Sequence, residues 1–440
     1  MQDIISNLIH AIKNKDARIG VIGLGYVGLP LAVTAARRGF KVLGVDIDPK
    51  KMSALDAGAS YIEAVSNEDL AEARPAMGWT TDFSELATCQ AVIICVPTPL
   101  TQHREPDLTY VLDTTRKIAS SIKPGTLVVL ESTTYPGTTR DEIVPVLEAA
   151  GFRSQEDVFV GFSPEREDPG NANFRTATIP KIVAGEGEAA GAMVKALYEG
   201  IVDAVVEVPN TATAEAVKIT ENIFRAVNIA LVNELKLIYD RMGIDVWDVI
   251  DGAATKPFGY MPFYPGPGLG GHCIPIDPFY LTWKAREFEA PTRFIELAGE
   301  INTAMPRHVV DRVAQTMDQT CGRGLSGSRI LVIGAAYKKN IGDVRESPSM
   351  RLMELLIERG VTVDYHDPHV AEIPQMRMYP SLKGKTSVNL EGLDGFDLVL
   401  IATDHDDVDY SAIVASGKPI VDTRNAIARR QLDGTSVIKA

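Results

Sequence analysis

One cysteine of the chain lies in a glycine-rich turn rather than in an apolar strand or helix. Cys273 follows Gly270 and Gly271 in the stretch GLGGHCIPID, and the chain has only four cysteines. The flanking glycines would let a substrate come close to the sulfur, and Asp277-Pro278 has the signature of a helix start, with Asp as N-cap. A helix N-terminus can lower the pKa of a nearby thiol, and the thiolate is the nucleophile. The position indicates a reactive cysteine, with an inert buried thiol as the alternative.

A second pair of chemical groups falls on a predicted long helix. The run from Thr211 to about Met242 contains no glycine or proline, and Gly243 follows it as a natural C-terminal cap. Lys218 and Asn222 are four residues apart and therefore share one face of this helix. Apolar residues occur on nearly all of its faces, which predicts burial between domains or between subunits. A buried ammonium needs a partner, which is either a ligand oxygen or the carboxylate of a salt bridge.

The N-terminal segment GVIGLGYVG carries a glycine pattern that follows a strand and opens a helix. Gly23, Gly25 and Gly28 have the G-x-G-x-x-G spacing, and Asp46 ends the next predicted strand. In this context the glycines permit a tight turn, the helix N-terminus receives a pyrophosphate, and the carboxylate accepts hydrogen bonds from ribose hydroxyls. The motif predicts NAD rather than NADP, because a carboxylate repels a 2′-phosphate. Glycines that serve only a tight turn are the alternative.

The composition argues against several other classes of protein. The chain has 440 residues and a formal net charge of −14, so its acidic surface argues against nucleic acid as the main ligand. No apolar run approaches the roughly 20 residues of a membrane span, and the N-terminus fits a short amphipathic helix rather than a signal peptide. The cysteines form no Cys-x-x-Cys pair, which favours the cytoplasm. We expect no membrane partner and no metal site.

Strand and helix patterns alternate in two separate parts of the chain. The first part runs from RIGVIGL through KIVAG to VVEVPN, and the second begins after CGRGLSGS and runs from RILVIG to PIVDTRN. Each predicts a parallel sheet with helices on both faces, and Asp48-Pro49 and Ser347-Pro348 predict two of the helix starts. We therefore expect an α/β protein with two Rossmann-like doubly wound domains joined by the long helix. The predicted domains are 1–209, which binds NAD, 210–322, which is helical and carries the cysteine, and 323–440.

Eight segments, in order along nearly the whole chain, resemble the UDP-glucose/GDP-mannose dehydrogenase family. They are GLGYVGLPLA, GVDID, VPTP, STTYPGTT, SPERE, AEAVKITEN, PGPGLGGHCIPIDPFYL and KKNIGDVRESPS. SPEREDPGN and KPFGYMPFYPGPGLGGHCIP look most like the branch that oxidises UDP-N-acetylhexosamines, UDP-N-acetylglucosamine in particular. UDP-N-acetylgalactosamine, UDP-N-acetylmannosamine and UDP-glucose stay open as substrates.

The resemblance implies a two-step oxidation of the sugar C6 alcohol to a carboxylate with two molecules of NAD. The first hydride transfer gives an aldehyde, which Cys273 attacks to form a thiohemiacetal. Oxidation of this adduct gives a thioester, which water hydrolyses. The sulfur adduct suits this sequence, because it retains a carbon-bound hydrogen for the second transfer and later leaves as a thiolate.

The resemblance also implies roles for individual residues. Lys218 and Asn222 would stabilise negative charge on the C6 oxygen. Asp277 would act with Thr133 to hold or activate the hydrolytic water. In the family the central helices form a dimer and the C-terminal domain binds the UDP-sugar, so we expect a homodimer or a higher homo-oligomer.

The acidic segment SPEREDPG leaves one assignment open. Glu165 would serve as acid/base near the thiohemiacetal or would position the water. The spacing of its acidic residues is shifted from that of the UDP-glucose members, so Glu167 and Asp168 stay alternatives for the proton transfer.

The remaining implied contacts fall into two sets. The cofactor contacts are Gly23, Gly25, Tyr26, Val27, Gly28, Asp46, Thr98, Thr133 and Arg345. The UDP-sugar contacts are Glu165, Arg166, Lys218, Asn222, Tyr264, Gly270 and Lys338.

Two rival functions share part of this pattern. A two-electron hydroxyacid-type dehydrogenase would use the glycine turn and Lys218, would leave Cys273 unexplained, and would form one NADH per substrate instead of two. A binding module or sensor would hold NAD and a nucleotide sugar without turnover.

Overall fold

The structure is a computed structural model that describes residues 2–62, 64–101, 105–167, 176–271, 274–376 and 378–440. Two of the predicted site residues, Asp168 and Cys273, lie outside the described residues. The chain divides into two units, the first made of Met1–Glu221 with Phe279–Pro291 and the second of Asn222–Pro278 with Thr292–Ala440.

The strands form two sheets, one in each unit. The first sheet contains β1 (Arg18–Ile22), β2 (Lys41–Val45), β3 (Met77–Thr80), β4 (Ala91–Ile94), β5 (Thr126–Leu130), β6 (Val158–Phe162), β7 (Lys181–Gly185) and β8 (Val205–Glu207). The second contains β9 (Arg329–Ile333), β10 (Thr362–His366), β11 (Leu398–Ile401), β12 (Ile420–Asp422) and β13 (Val437–Lys439).

Helices connect most of these strands. They are α1 (Gln2–Lys13), α2 (Gly28–Arg37), α3 (Pro49–Asp56), α4 (Asn67–Ala73), α5 (Thr109–Ala119), α6 (Val144–Ala149), α7 (Glu188–Glu199), α8 (Thr211–Met242), α9 (Val246–Ala254), α10 (Asp277–Ala285), α11 (Arg293–Cys321), α12 (Pro348–Glu358), α13 (Tyr410–Ala415) and α14 (Ala426–Arg429). Shorter helical turns are Arg74–Ala76, Phe83–Thr88, Thr139–Ile143, Arg286–Phe288, Pro380–Leu382 and Leu390–Gly395. In the described part of the chain, none of the helices combines the length and apolar character that crossing a membrane requires.

The first sheet has the strand order β3-β2-β1-β4-β5-β6-β7-β8. Every neighbouring pair is parallel except β6 and β7, which pair antiparallel through Phe162 and Ala184. The prediction of a parallel sheet is therefore confirmed for β1 to β6 and wrong for β7 and for β8, which pairs parallel with β7 and so also runs opposite to the other strands. KIVAG is apolar throughout, and an apolar run predicts a buried strand without giving its direction.

Both faces of the first sheet are covered by apolar side chains. Ile19 and Val21 of β1 pack in a cluster that includes residues of α1, α2 and α7. Ile22 packs on the other face in a cluster that includes residues of α5 and α6. Because successive strand residues point to opposite faces, these continuous apolar strands must be covered on both sides, which confirms the doubly wound architecture.

The second sheet, ordered β10-β9-β11-β12-β13, is parallel throughout. Ile330 and Val332 of β9 pack with residues of α11 and α12, whereas Leu331 and Ile333 pack with residues of α13 and α14. The second Rossmann-like fold predicted from the sequence is thereby confirmed.

Helix α8 has the bounds predicted for it, and Gly243 follows it with a φ of 70°. In the single chain, Phe224, Leu231 and Ile238 are about half exposed, so the predicted burial between domains or between subunits stays a prediction for this face. These three residues are spaced by seven and therefore form one line along the helix. The all-round apolar pattern thus includes a face that this chain leaves uncovered.

Glu215, in the first turns of α8, ties this helix to the segment after β5. Its carboxylate accepts hydrogen bonds from Gly137 N at 2.5 Å, Thr139 N at 2.8 Å and Thr139 Oγ1 at 2.7 Å. Burial raises the pKa of the Glu215 carboxyl to about 7, although these hydrogen bonds act in the opposite direction. The group therefore changes its charge near neutral pH.

This pKa predicts a pH dependence of stability. Between about pH 4.5 and 7 the folded chain keeps a proton on Glu215 that the unfolded chain releases, so stability falls as pH rises through this window. The contribution of this group is at most about 1.4 kcal/mol per pH unit. Gln cannot ionise, so we expect the free energy of unfolding of Glu215→Gln, relative to wild type, to increase from pH 5 to pH 7. Urea unfolding followed by tryptophan fluorescence measures this difference.

The exposed Glu148→Gln is the matched control, and its difference from wild type should stay constant over the same range. A constant difference for Glu215→Gln as well would contradict the prediction.

Candidate functional site

The glycine turn lies between the end of β1 and the start of α2. Gly23 has a φ of 89°, and a Cβ atom on it would lie 2.6 Å from the Cys95 carbonyl oxygen. A Cβ atom on Gly28 would lie 2.0 Å from the Gly23 carbonyl oxygen, whereas one on Gly25 would meet nothing within 4 Å. Gly23 and Gly28 are therefore required by the tight turn and its packing. Gly25 instead leaves open space in which a ligand can approach the backbone.

The N-terminus of α2 suits an anion. Val27 precedes the helix without a side-chain cap, and the neighbouring Tyr26 is about two-fifths exposed. The first backbone N–H groups of a helix and its dipole together favour a phosphate at this end. The turn therefore has the features that a pyrophosphate of NAD requires.

Asp46 follows β2 and is buried beside this turn. Its Oδ2 accepts hydrogen bonds from Leu24 N at 2.8 Å and Lys51 Nζ at 2.6 Å, and its Oδ1 accepts one from Asp48 N at 3.0 Å. A carboxylate oxygen can accept two hydrogen bonds, so Oδ1 retains capacity for a ribose hydroxyl. Sequence reasoning missed Lys51, and the only signal was a lysine in the helix after DIDP.

Two further predicted cofactor residues follow neighbouring strands. Thr98 comes after β4 and is buried, and its carbonyl oxygen accepts a hydrogen bond from Tyr280 Oη. Thr133 comes after β5 and is half-buried, and the preceding Ser132 donates from Oγ to the Val96 carbonyl oxygen at 2.6 Å. Because β1, β4 and β5 are parallel, these segments and the glycine turn lie at one edge of the sheet, where dinucleotides bind in such folds.

A buried cluster of charges adjoins this edge. Lys181 Nζ lies 3.1 Å from Glu131 Oε2 and 3.0 Å from Glu165 Oε2. Glu165 Oε1 accepts hydrogen bonds from the backbone N–H groups of Arg166 and Glu167, each at 2.6 Å. Sequence reasoning identified Glu165 but missed Glu131 and Lys181. The available signal was a lysine at the first position of an apolar strand, where a charged side chain needs a buried partner.

The two glutamates of this segment have opposite pKa shifts. Burial alone would raise the pKa of Glu165, but the ammonium groups of Lys181 and Lys218 and the backbone hydrogen bonds hold it below its ordinary value. Burial and the charge of Glu165 raise the pKa of Glu167 to about 8, and Thr176 Oγ1 donates a hydrogen bond to its carboxylate. At neutral pH Glu165 is therefore ionised and Glu167 is mostly protonated. Asp168 lies outside the described residues.

Arg166, a predicted substrate contact, binds other parts of its own unit. Its guanidinium donates to Glu221 Oε1 at 2.6 Å, to Glu221 Oε2 at 3.3 Å and to the Pro180 carbonyl oxygen at 2.6 Å. These contacts fix the segment that carries Glu165 to α8.

On helix α8, Lys218 and Asn222 are both buried. Asn222 Nδ2 donates a hydrogen bond to Asp277 Oδ2 at 2.5 Å, and Asp277 itself is 2% exposed. The structure thus brings together two predicted site residues that are 55 positions apart. Helix α10 begins at Asp277 itself rather than after it, so the predicted N-cap belongs to the first helical turn.

The glycines before Cys273 serve packing within the second unit. A Cβ atom on Gly270 would lie 2.6 Å from Tyr337 Cβ and 2.8 Å from Pro348 Cδ, and one on Gly271 would lie 2.9 Å from the Tyr337 ring. Gly271 N donates to the Arg345 carbonyl oxygen at 3.3 Å. A larger residue at either position would therefore collide with Tyr337 or Pro348. The approach of a substrate to the sulfur of Cys273 stays a prediction, because Cys273 lies outside the described residues.

Three other predicted residues also belong to the second unit. Tyr264 stacks on Trp247 with 5.7 Å between ring centroids, and its hydroxyl donates to Asp251 Oδ1 at 2.6 Å. Arg345 is exposed and forms an ion pair with Asp343 at 2.6 Å, and Lys338 is half-buried in the segment after β9. The ring of Tyr264 thus has a packing role that sequence reasoning did not predict.

The doubly wound sheets, the glycine turn and Asp46 define an NAD-binding α/β protein. Models of three domains of one family match successive parts of the chain: the NAD binding domain at residues 17–202, the central domain at 212–304 and the UDP binding domain at 331–429. The chain belongs to the UDP-glucose/GDP-mannose dehydrogenase family. It is therefore an NAD-dependent UDP-sugar dehydrogenase with a UDP binding domain near its C-terminus.

Individual relatives have different sugars in their names. The UDP-N-acetyl-D-glucosamine 6-dehydrogenase of Pseudomonas aeruginosa is 37% identical over 89% of this chain and 91% of its own. The NDP-N-acetyl-D-galactosaminuronic acid dehydrogenase of Ralstonia nicotianae is 35% identical over 88% and 90%. The solved structure of the UDP-D-ManNAc dehydrogenase of Pyrococcus horikoshii superposes with a TM-score of 0.87 at 32% identity, covering 96% of this chain and 98% of its own.

The glycine turn yields a paired prediction. Gly25→Ala should keep the thermal unfolding midpoint of wild type, because its Cβ atom enters open space, yet should weaken NAD binding about tenfold or more through collision with the pyrophosphate. Gly28→Ala should lower the unfolding midpoint as well, because its Cβ atom would overlap the Gly23 carbonyl oxygen. Differential scanning fluorimetry with and without NAD measures both effects. Wild-type NAD affinity in Gly25→Ala would refute the assignment of this space to the cofactor.

Proposed function

We propose that this enzyme oxidises the C6 hydroxyl of UDP-N-acetyl-D-glucosamine to the uronic acid in two NAD-dependent steps, through a covalent adduct on Cys273. The observation that carries the proposal is the buried hydrogen bond between Asn222 and Asp277, four residues after Cys273 in the chain. An amide and a carboxylate in contact, four positions along the chain from a cysteine, are groups that a thioester-forming oxidation can use. A two-electron hydroxyacid dehydrogenase has no use for this arrangement.

In the first step the chain stabilises charge on the C6 oxygen. NAD, when bound, accepts the hydride from C6 in each oxidation. The ammonium of Lys218 and the amide of Asn222 stabilise the negative charge that develops on the oxygen as its proton leaves. Both groups are buried, so the interaction of each with an oxyanion is little weakened by water.

The second step uses the sulfur of Cys273. The thiolate attacks the aldehyde carbon, and the carbonyl oxygen takes up a proton to give the thiohemiacetal. Loss of a hydride and of the hydroxyl proton converts this adduct to a thioester. Water then adds to the thioester carbon, the C–S bond breaks, and the thiolate leaves while Asp277 accepts the proton of the water.

Glu165 and Glu167 of the SPERE segment differ in protonation at neutral pH, which supports different roles for them in the reaction. Ionised Glu165 accepts a hydrogen bond and, with Thr133, positions the hydrolytic water. Glu167 carries a proton at neutral pH and suits the role of acid/base, which the sequence alone left open among Glu165, Glu167 and Asp168. Arg166, Tyr264, Gly270 and Lys338 stay proposed UDP-sugar contacts, and Arg345 a proposed cofactor contact.

The choice of UDP-N-acetyl-D-glucosamine rests on similarity. The relative from Pseudomonas aeruginosa has this sugar in its name. Its alignment with this chain spans 91% of the relative's length at 37% identity. Relatives whose names contain N-acetylgalactosaminuronic acid and ManNAc are nearly as similar, so UDP-N-acetylgalactosamine and UDP-N-acetylmannosamine are the alternatives, followed by UDP-glucose. We place the enzyme in the cytoplasm, where a reducing environment keeps its thiols free.

Purified protein, NAD and a panel of the four UDP-sugars test the proposal. We expect the highest kcat/KM with UDP-N-acetyl-D-glucosamine and two NADH per sugar, followed by absorbance at 340 nm and by mass spectrometry of the product. Cys273→Ser should bind NAD as wild type does but form no more than trace amounts of the acid, because a serine alkoxide is a poorer nucleophile and leaving group than a thiolate. Cys321→Ser is the matched control, with activity close to wild type.

Three outcomes would contradict different parts of the proposal. One NADH per sugar would favour the two-electron dehydrogenase, and no turnover with any sugar would favour a binding module. Full acid production by Cys273→Ala would exclude the covalent route.

We further propose that the enzyme is a homodimer formed through the exposed line of α8. Phe224, Leu231 and Ile238 leave apolar surface on one face of a 32-residue helix, and Met242 extends the exposed apolar residues to its end. An apolar helix face of this length is stabilised by packing against another apolar surface.

A charge in this line should disrupt the dimer. We expect Leu231→Asp to shift the protein from dimer to monomer in sedimentation-velocity experiments, because the carboxylate would be buried without a partner. Met378→Asp, at an exposed methionine elsewhere in the second unit, should remain dimeric. A dimeric Leu231→Asp protein would place the interface on another surface.

A further inference from the structure

Lys181 owes its position to the direction of β7. The residue pair Phe162 and Ala184 sets the antiparallel register of β6 and β7, so the chain before Ala184 runs toward the carboxyl end of β6. Lys181, the first residue of β7, therefore lies at the edge of the sheet where Glu131 leaves β5 and Glu165 follows β6. In a parallel β7 the same lysine would start at the opposite edge.

The ammonium of Lys181 is shared between two carboxylates that differ in their other partners. Glu131 is fully buried, and its second oxygen accepts a hydrogen bond from Tyr198 Oη. Glu165 retains 13% exposure of its side chain, and its second oxygen accepts the N–H groups of Arg166 and Glu167. Glu131 therefore acts inside the protein only, whereas Glu165 keeps access to its surroundings.

These contacts indicate that the ion pair does more than stabilise the fold. A buried ammonium is costly unless paired, and one carboxylate would have been sufficient to pair it. The second carboxylate, Glu165, is instead held by three donors on its two oxygens, which favours the ionised form and fixes its orientation. Glu131 forms the second ion pair of Lys181 and thereby fixes the position of the ammonium.

We propose that Lys181 is a positioning residue that keeps Glu165 ionised and oriented during catalysis, with Glu131 as the buried anchor of the lysine. The proposal rests on the proposed function, because it deepens the role given there to Glu165. In this arrangement Glu165 works as a fixed hydrogen-bond acceptor and does not take up the proton of the reaction. Lys181 affects the reaction indirectly, by its contact with Glu165.

The charged and titratable groups around Glu165 come from several elements. In the described part of the chain they include Glu131 after β5, Cys95 after β4, Arg166 and Glu167 in the same segment, Lys181 on β7 and Lys218 on α8, with Tyr198 on α7 bonded to the far side of Glu131. Among them, the two lysines favour the ionised form of Glu165, and Glu131 disfavours it. Opposite shifts are therefore expected when Lys181 and Glu131 are neutralised separately.

The first experiment compares the pH dependence of kcat in wild type, Lys181→Met and Lys181→Arg. Without the ammonium Glu165 takes up a proton at higher pH, so the acid limb of Lys181→Met should move up by about one pH unit or more. We expect kcat at pH 7 to fall about tenfold, and both KM for the UDP-sugar and NAD affinity to stay within about threefold. Lys181→Arg keeps the charge and should restore the wild-type limb. A Lys181→Met enzyme that binds NAD and retains the wild-type acid limb would overturn the proposal.

The second experiment uses Glu131→Gln. It tests the proposal even if the Lys181→Met variant does not fold. Lys181 then pairs with Glu165 alone, so the acid limb should move to lower pH. An unchanged limb or one at higher pH would overturn the proposal, because Glu131 would then not share the lysine with Glu165.

A third readout does not depend on turnover and separates this proposal from the proposed function. Wild type already holds protonated carboxyls near neutral pH, Glu167 and Glu215 among them, so an infrared pH titration should show a larger protonated carboxyl band in Lys181→Met than in wild type at the same pH, and Glu165→Gln in that background should reduce this band. A band no larger than that of wild type would overturn the positioning role. A wild type that shows the expected titration but oxidises no UDP-sugar would refute only the proposed function.

Discussion

The parallel pairing of β1, β4, β5 and β6 is the constraint on which the site of the first unit depends. Parallel strands all end at the same edge of a sheet, so the segments that follow them meet there whatever their separation in sequence. The glycine turn, Thr98, Thr133 and Glu165 each follow one of these strands. The sheet therefore provides a rigid edge on which short irregular segments carry the chemistry, as in other open α/β folds.

The antiparallel direction of β7 places a lysine at the edge of the sheet where the parallel strands end. A parallel strand brings its carboxyl end to this edge and its amino end to the other, so only a reversed strand can place its first residue beside Glu165. Lys181 uses that position and is almost completely buried. A buried ammonium is stable only when it is paired, and here Glu131 and Glu165 pair with it. The reversed direction of β7 is what places Lys181 beside these two carboxylates.

The sequence predicted those features that depend on short-range rules. Asp48 and Ser347 cap helices that start with proline, as expected from their spacing, and α8 ends before Gly243. The direction of β7 was missed because apolar strands look alike in either direction. Tyr337 against Gly270 was missed because a close packing contact between segments far apart in sequence leaves no periodic signal. The same limit applies to Lys51 beside Asp46, which becomes visible only when the side chains are placed.

The charges around Glu165 also explain why two glutamates in one short segment can differ in protonation. Glu131, Glu165 and Glu167 supply three carboxyl groups, and Lys181 and Lys218 supply two ammonium groups. Ionisation of all three carboxyls would leave one negative charge uncompensated in a largely buried cluster. The proton is retained where its removal is least compensated, which is on Glu167, because Lys181 contacts Glu131 and Glu165 directly. The difference between a fixed acceptor and a proton carrier then follows from burial, which raises the pKa of Glu167, and from the two lysines, which hold the pKa of Glu165 below its ordinary value.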